Sequence, residues 1–166
     1  MWWRVAVFQL ARTEVATFVR TSQYAWPVLE IVHFFGLSML LGTVGLFDLR
    51  LMGFAKQIPP KALHRLVPVG IAGFLINVTS GTLFFISSPG LYVGNLAFEV
   101  KMVLLIFAAI NVAAFYLVMR RPVLALEAGG ITPVTARIIG GLSLAIWISV
   151  LVAGRMEAFF KPLPKY

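Results

Sequence analysis

Four long apolar stretches constrain this chain more than any other feature of its sequence. They are Pro27 to Phe47, Leu66 to Ser88, Phe98 to Met119 and Ile138 to Gly154. A helix needs about 20 mostly apolar residues to cross the hydrocarbon core of a bilayer, and each stretch approaches or exceeds that length. The sequence therefore predicts an all-α fold, an integral membrane four-helix bundle that occupies residues 24–166.

The composition favours a membrane protein over a soluble one. Hydrophobic residues make up 60% of the 166 residues and charged residues only 12%, whereas soluble domains average about 45–50% apolar and about 25% charged residues. A chain this short cannot bury so much apolar surface in a water-soluble fold, so the excess is expected to face lipid. The chain has no cysteine, which excludes disulfides, thiolate metal sites and covalent haem attachment.

Residues 1–23 are predicted to form a separate element, an amphipathic helix that lies at the membrane interface. Apolar and aromatic side chains are interspersed there with Arg4, Arg12 and Arg20. The arginines interrupt the apolar stretch before it reaches spanning length, which favours an interfacial position. A secretory signal peptide fits poorly, because two tryptophans precede the basic region and Arg12 breaks the apolar stretch.

The distribution of basic residues predicts the orientation of the bundle. Four spans place both chain ends on one side of the membrane, here named side A, and the loops 48–65 and 120–137 on the other, side B. The net charge is +8, and the 14 Lys and Arg residues divide evenly between the two sides. Those on side B lie in short loops beside the spans, so we expect side B to be cytoplasmic. The bases are expected to contact anionic lipid headgroups, with no role in nucleic-acid binding.

A polar site centred on His33 is predicted inside the bundle. Ionisable side chains are costly in hydrocarbon and usually face the bundle interior. Glu30 and Asp48 each lie about 60° from His33 around the first helix, so the three share one stripe. Lys101 lies at about the same depth as Glu30, which predicts an ion pair between them. The structural alternative for His33 is a hydrogen bond within the bundle, with Glu30 as its natural partner.

Gly36, Asn77 and Asn111 complete the candidate site. Gly36 follows His33 by one turn and leaves room for a flat ligand, although close helix packing is the commoner use of such a glycine. Asn77 and Asn111 lie on inward faces of the second and third helices, where interhelical hydrogen bonds are their commoner role. His64 lies about 20 Å from His33 in depth, so the two histidines cannot both ligate one haem iron or metal ion.

Two further expectations concern side B. His64 points roughly opposite to the inward face of the second helix, unless Pro68 disturbs the first turn, so it is predicted to be an interfacial residue. Asp48, Arg50 and Arg65 gather at the same boundary. An ion-pair lock of the first helical hairpin is predicted there.

Several of these residues stand in a pattern that resembles a small uncharacterised family of bacterial four-helix membrane proteins. The pattern is Trp26-Pro-x-x-Glu30-x-x-His33-x-x-Gly36, then Asp48-Leu-Arg-Leu-Met-Gly53, Asn77-x-Thr79-x-Gly81, Asn95 and Lys101-Met102. The likeness covers about residues 22–115. That family is more distantly similar to the membrane group that contains the copper-resistance protein D domain and the HemJ-type protoporphyrinogen oxidase.

The wider resemblance implies b-type haem, porphyrin, copper or quinone chemistry at the membrane. In that group a histidine early in the first helix is followed by an arginine, and a lysine opens a later helix. His33, Arg50 and Lys101 match these positions. Asn111 stands near a point where the oxidases tend to carry a further histidine, so the resemblance does not extend to oxidase activity or to a complete pair of haem ligands.

The leading hypothesis is a protein of the bacterial inner membrane that binds haem b, or a quinone, and serves membrane electron transfer. His33 is the predicted metal ligand, beside Glu30 and Lys101. The absence of any cofactor is an equal alternative to haem b. The other hypotheses are an accessory or assembly subunit of a larger membrane complex, and a small metal or proton transporter whose path includes Asp48. Predicted partners are the lipid bilayer and a redox partner or larger complex, with self-association and enzymatic activity left open.

Overall fold

Helices account for the regular structure of residues 7–160, the part of the chain that the computed structural model describes. They are α1 Glu14–Thr21, α2 Ala25–Met52, α3 Pro60–His64, α4 Val67–Ser87, α5 Pro89–Tyr92, α6 Leu96–Ala114, α7 Arg120–Leu124 and α8 Val134–Met156. A π-helical turn, Phe115–Met119, joins α6 to α7. Four segments are long and apolar enough to cross a membrane: Ala25–Met52, Pro60–Ser87, Leu96–Leu124 and Val134–Met156. The predicted all-α, four-helix membrane fold is confirmed.

The first span extends further toward side B than predicted. The stretch was expected to end at Phe47, but α2 continues to Met52 and ends at Gly53, whose φ of 103° is left-handed. A helix of 28 residues is about 42 Å long, which exceeds the ~30 Å of the hydrocarbon core. Asp48 and Arg50 therefore lie on the helix itself and not in a loop.

Helix α1 packs on the side A end of α4. Ala16 and Val19 are buried on its inner face, and the Arg20 guanidinium donates to the Ser87 carbonyl at 3.1 Å. A helix thus occurs within the predicted N-terminal element, and its amphipathic character stays a prediction. Its position at a membrane interface stays a prediction, and residues 1–6 of that element lie outside the described residues.

The two central helices of the bundle are α2 and α8. Helix α2 packs along α4 on one side and along α8 on the other, and α6 packs on α8. Within the described part of the chain, α4 and α6 share no comparable interface. A groove therefore separates these two spanning helices.

Glycines bring α2 and α4 into close contact. A Cβ atom at Gly73 would lie 2.5 Å from the Gly36 carbonyl oxygen and 2.8 Å from the Leu40 nitrogen, and one at Gly36 would lie 2.6 Å from a methyl group of Ile76. The two backbones touch, which only residues without a side chain permit. Gly36 thus has the packing role that the sequence favoured.

Arg50 joins the two loops of side B. Its guanidinium donates to the Ile58 carbonyl at 2.7 Å, to the Thr132 hydroxyl at 3.0 Å and to the Gly130 carbonyl at 3.3 Å. The side chain is only 1% exposed. The predicted ion-pair lock with Asp48 does not form, because the guanidinium is directed to the loop oxygens.

Candidate functional site

His33 lies half-buried near side A, where it contacts Ser80 of α4. The His33 Nδ1 and Ser80 Oγ atoms are 2.7 Å apart, and the Ser80 hydroxyl donates to the Ile76 carbonyl at 2.7 Å. With the hydroxyl proton assigned to that carbonyl, Ser80 accepts from Nδ1–H, and Nε2 is the unprotonated nitrogen. The Phe84 ring meets the imidazole edge-on at 5.8 Å between centroids. The hydrogen-bond partner is thus Ser80 and not the expected Glu30.

The predicted ion pair between Glu30 and Lys101 does not form. The Glu30 carboxylate is exposed and accepts from the Trp26 indole at 3.1 Å. Lys101 instead pairs with Glu157 at 2.5 Å and lies 5.2 Å from the centre of the Phe98 ring. The sequence placed Lys101 at the correct depth but missed its partner, because Glu157 follows the predicted end of the fourth span.

Tyr92, on the short helix α5, lies close to these carboxylates. Burial and the negative charges of Glu157 and Glu30 raise the pKa of the Tyr92 phenol to about 12, since each disfavours the phenolate. The ring packs against Phe85 and Phe98 at 5.9 Å and 5.4 Å between centroids. The side A end of the bundle thus combines an aromatic cluster with an acidic and a basic group.

The two asparagines of the candidate site make structural hydrogen bonds. Asn77 donates within its own helix to the Gly73 carbonyl at 2.8 Å, so the interhelical hydrogen bond predicted for it is wrong. Asn111 donates to the Ile139 carbonyl of α8 at 3.1 Å, which confirms its interhelical bond. The structure therefore gathers Glu30, Lys101 and His33 at one end of the bundle but places Asn111 in another region.

A second candidate region, which was not predicted from the sequence, lies in the groove between α4 and α6. A cavity of about 450 Å³ is lined there by the side B halves of all four spanning helices. Its walls are mostly apolar and include the aromatic side chains Phe47, Phe74, Phe115 and Trp147. Apolar cavities with a few polar groups are typical small-molecule sites.

His64 and Tyr116 lie together at the side B end of this cavity. The Tyr116 hydroxyl and His64 Nε2 are 3.2 Å apart. Phe47 packs against the His64 ring at 6.2 Å between centroids, and the Arg120 guanidinium lies 5.7 Å from the centre of the Tyr116 ring. Helix α3 is thus linked to the π-helical turn at this end of the cavity by a hydrogen bond.

A break in the helix explains why His64 lines the cavity instead of pointing away from it. The predicted direction extended the α4 angles back to His64, but a turn at Arg65 and Leu66 separates α3 from α4. Tyr116 belongs to the π-helical turn, which changes the angular register of its helix and is a frequent feature of functional sites. Little in the sequence singled out Tyr116, because tyrosines near membrane interfaces are common.

Asp48 is the polar group buried most deeply in the cavity wall. It is 4% exposed, and its Oδ2 atom has no hydrogen-bond partner. The Ser143 hydroxyl of α8 lies against the same carboxyl group. Glu30 and His33 are absent from the cavity lining, so the three residues suggested for a transport path do not line one cavity.

No family model, curated protein or solved structure matches this chain. Between residues 7 and 160, no three His, Asp or Glu side chains come together in a group that could hold a metal ion. The two histidines have different partners at opposite ends of the bundle. The interpretation of the site therefore depends on its own geometry.

Proposed function

We propose that this multi-pass membrane protein binds a ligand of the quinone class in the groove between α4 and α6. The observation that carries the proposal is the cavity of about 450 Å³, which has aromatic walls and a histidine–tyrosine hydrogen bond at one end. A quinone combines a flat ring, which fits between aromatic side chains, with an apolar tail that lipid can accommodate.

The separation of α4 and α6 provides a route of entry. Because these helices share no extensive interface in the described chain, a ligand dissolved in the bilayer reaches the cavity sideways without crossing water. Moving an apolar ring from lipid into an apolar cavity gains little free energy, since both surroundings are apolar. The affinity therefore depends on the few polar groups, whose hydrogen bonds hydrocarbon cannot supply.

The proposal includes the setting in which the ligand is used. The protein resides in a bacterial inner membrane with side B toward the cytoplasm, and it serves membrane electron transfer together with a redox partner. The sequence resemblance to the group with the copper-resistance protein D domain supports this setting. The basic loops of side B support the orientation.

A cavity-filling variant tests the proposal. Ala109 lines the cavity, whereas Ala113, one turn further along α6, does not and is exposed. Saturable binding of a short-chain benzoquinone to the protein in nanodiscs is expected for the natural sequence and for Ala113→Phe, and is expected to be lost in Ala109→Phe. Binding that does not exceed that of empty nanodiscs, or that survives equally in both variants, would refute the proposal.

A haem b bound at His33 is a second candidate, favoured by the hydrogen bond to Ser80. That bond orients the imidazole and leaves Nε2 free, which is the arrangement typical of a metal-ligating histidine. A bound haem would supply one-electron chemistry, and His33 would be the single histidine ligand available at side A.

A visible spectrum of the purified protein tests this candidate. A Soret band is expected that is lost in His33→Ala and kept in His64→Ala. A spectrum without a Soret band, recorded under conditions that retain cofactors, would overturn the haem candidate and leave the groove proposal standing.

A further inference from the structure

The cavity presents a buried acceptor atom that no donor among residues 7–160 satisfies. The Ser143 hydroxyl lies against the Asp48 carboxyl group, but the Oδ2 atom has no hydrogen-bond partner although the residue is 4% exposed and lines the cavity. Buried polar atoms are nearly always paired, and leaving one unpaired is costly. The basic side chain nearest in sequence does not compensate, since the Arg50 guanidinium donates to the loops of side B. The free oxygen therefore matches a donor carried by the ligand.

Several polar groups around the cavity already have partners within the protein. The amide nitrogen of Asn111 donates to Ile139, and the Thr43 hydroxyl donates to the Met39 carbonyl at 2.7 Å. Tyr116 and His64 share a hydrogen bond with each other. Among the described side chains that line the cavity, Asp48 Oδ2 is the buried polar atom left without a partner.

We propose that the groove selects the reduced, hydroquinone form of its ligand, with one hydroxyl donating to Asp48 Oδ2. This inference rests on the proposed function and specifies its substrate. A quinone carries only carbonyl acceptors, which cannot donate to the Asp48 oxygen. A hydroquinone carries two hydroxyl donors on opposite edges of one ring. Asp48, His64 and Tyr116 line the same cavity, and the second hydroxyl is directed toward the His64–Tyr116 pair.

Anaerobic binding of one short-chain benzoquinone and its hydroquinone, to the protein in nanodiscs, tests this selection. The natural sequence is expected to bind the hydroquinone about tenfold more tightly, the effect of one hydrogen bond to a charged or strongly polar group. Asp48→Leu, which removes both carboxyl oxygens, is expected to abolish that preference. Asp48→Asn retains the shape and serves if the leucine variant does not fold, with a reduced preference expected. Glu30→Gln, which alters a carboxylate outside the cavity, is expected to keep the full preference.

The outcomes separate this inference from the proposed function. If the natural protein binds both forms equally, or the quinone more tightly, and Ala109→Phe still abolishes binding, the selection is overturned and the proposed function holds. If neither form binds saturably, both are overturned. A preference that persists in Asp48→Leu, or that is undiminished in Asp48→Asn, would show that Asp48 is not the acceptor.

Discussion

Replacement of Gly73 by alanine is expected to separate α2 from α4 and destabilise the bundle. The added Cβ would lie 2.5 Å from the Gly36 carbonyl oxygen and 2.8 Å from the Leu40 nitrogen. Both atoms belong to the backbone, so no side chain can rotate away. Restoring an ordinary contact of 3.4 Å requires a local displacement of about 0.9 Å. Overpacking of this kind lowers the free energy of unfolding by about 1–3 kcal/mol. The expected value lies toward the upper end of that range, because the clashing atoms belong to the backbone.

Gly42, on α2, provides the matched control. A Cβ added there has nothing within 4 Å, so Gly42→Ala keeps only the entropic benefit of alanine in a helix, about 0.5–1 kcal/mol. Gly73→Ala gains the same benefit but also incurs the overpacking cost. The difference in unfolding free energy between the two variants is therefore expected to be about 1–3 kcal/mol.

Denaturant unfolding in detergent micelles, followed by circular dichroism, measures this difference. Gly73→Ala is expected to unfold at a lower denaturant concentration than the natural sequence, and Gly42→Ala at the same or a higher one. Equal midpoints for the two alanine variants would refute the close crossing of α2 and α4. Because α4 also forms one wall of the groove, Gly73→Ala is expected to weaken benzoquinone binding as well.

Three further predictions follow from individual contacts. Arg50→Ala is expected to lower the free energy of unfolding by about 2–3 kcal/mol and to expose the side B loops to trypsin in limited proteolysis. Arg65→Ala, which alters an exposed side chain, is expected to do neither. Equal cleavage of the two variants would contradict the role of Arg50. Lys101→Met leaves the Glu157 carboxylate unpaired in a partly buried position and is expected to lower the free energy of unfolding by about 1–2 kcal/mol. A double-mutant cycle with Glu157→Gln that shows no coupling would argue against the ion pair. The raised pKa of Tyr92, about 12, means that the folded state holds the phenol proton more tightly than the unfolded state, so this contribution to stability is complete below pH ~10 and is lost as pH rises toward 12. An ultraviolet titration is expected to show one late tyrosinate component that Tyr92→Phe removes, and its persistence in that variant would assign it elsewhere.

The sequence by itself determined the number and approximate position of the spans, because the thickness of the bilayer sets the length of an apolar helix. The helical repeat also identified inward faces: Gly73 and Ser80 are buried, as their shared face on the second helix indicated. The rise per residue placed His33 and His64 at different depths, and their separate partners agree with that placement.

Only the tertiary structure decided which partner each polar side chain meets. Lys101 pairs with Glu157, His33 with Ser80 and His64 with Tyr116, and none of these pairs was predicted. The reason is physical: in lipid an apolar helix can rotate or tilt without exposing its surface to water, so hydrophobicity alone does not fix how the spans pair. The glycine crossing of α2 and α4, the break before α4 and the π-helical turn after α6 fix that arrangement, and together they create the groove.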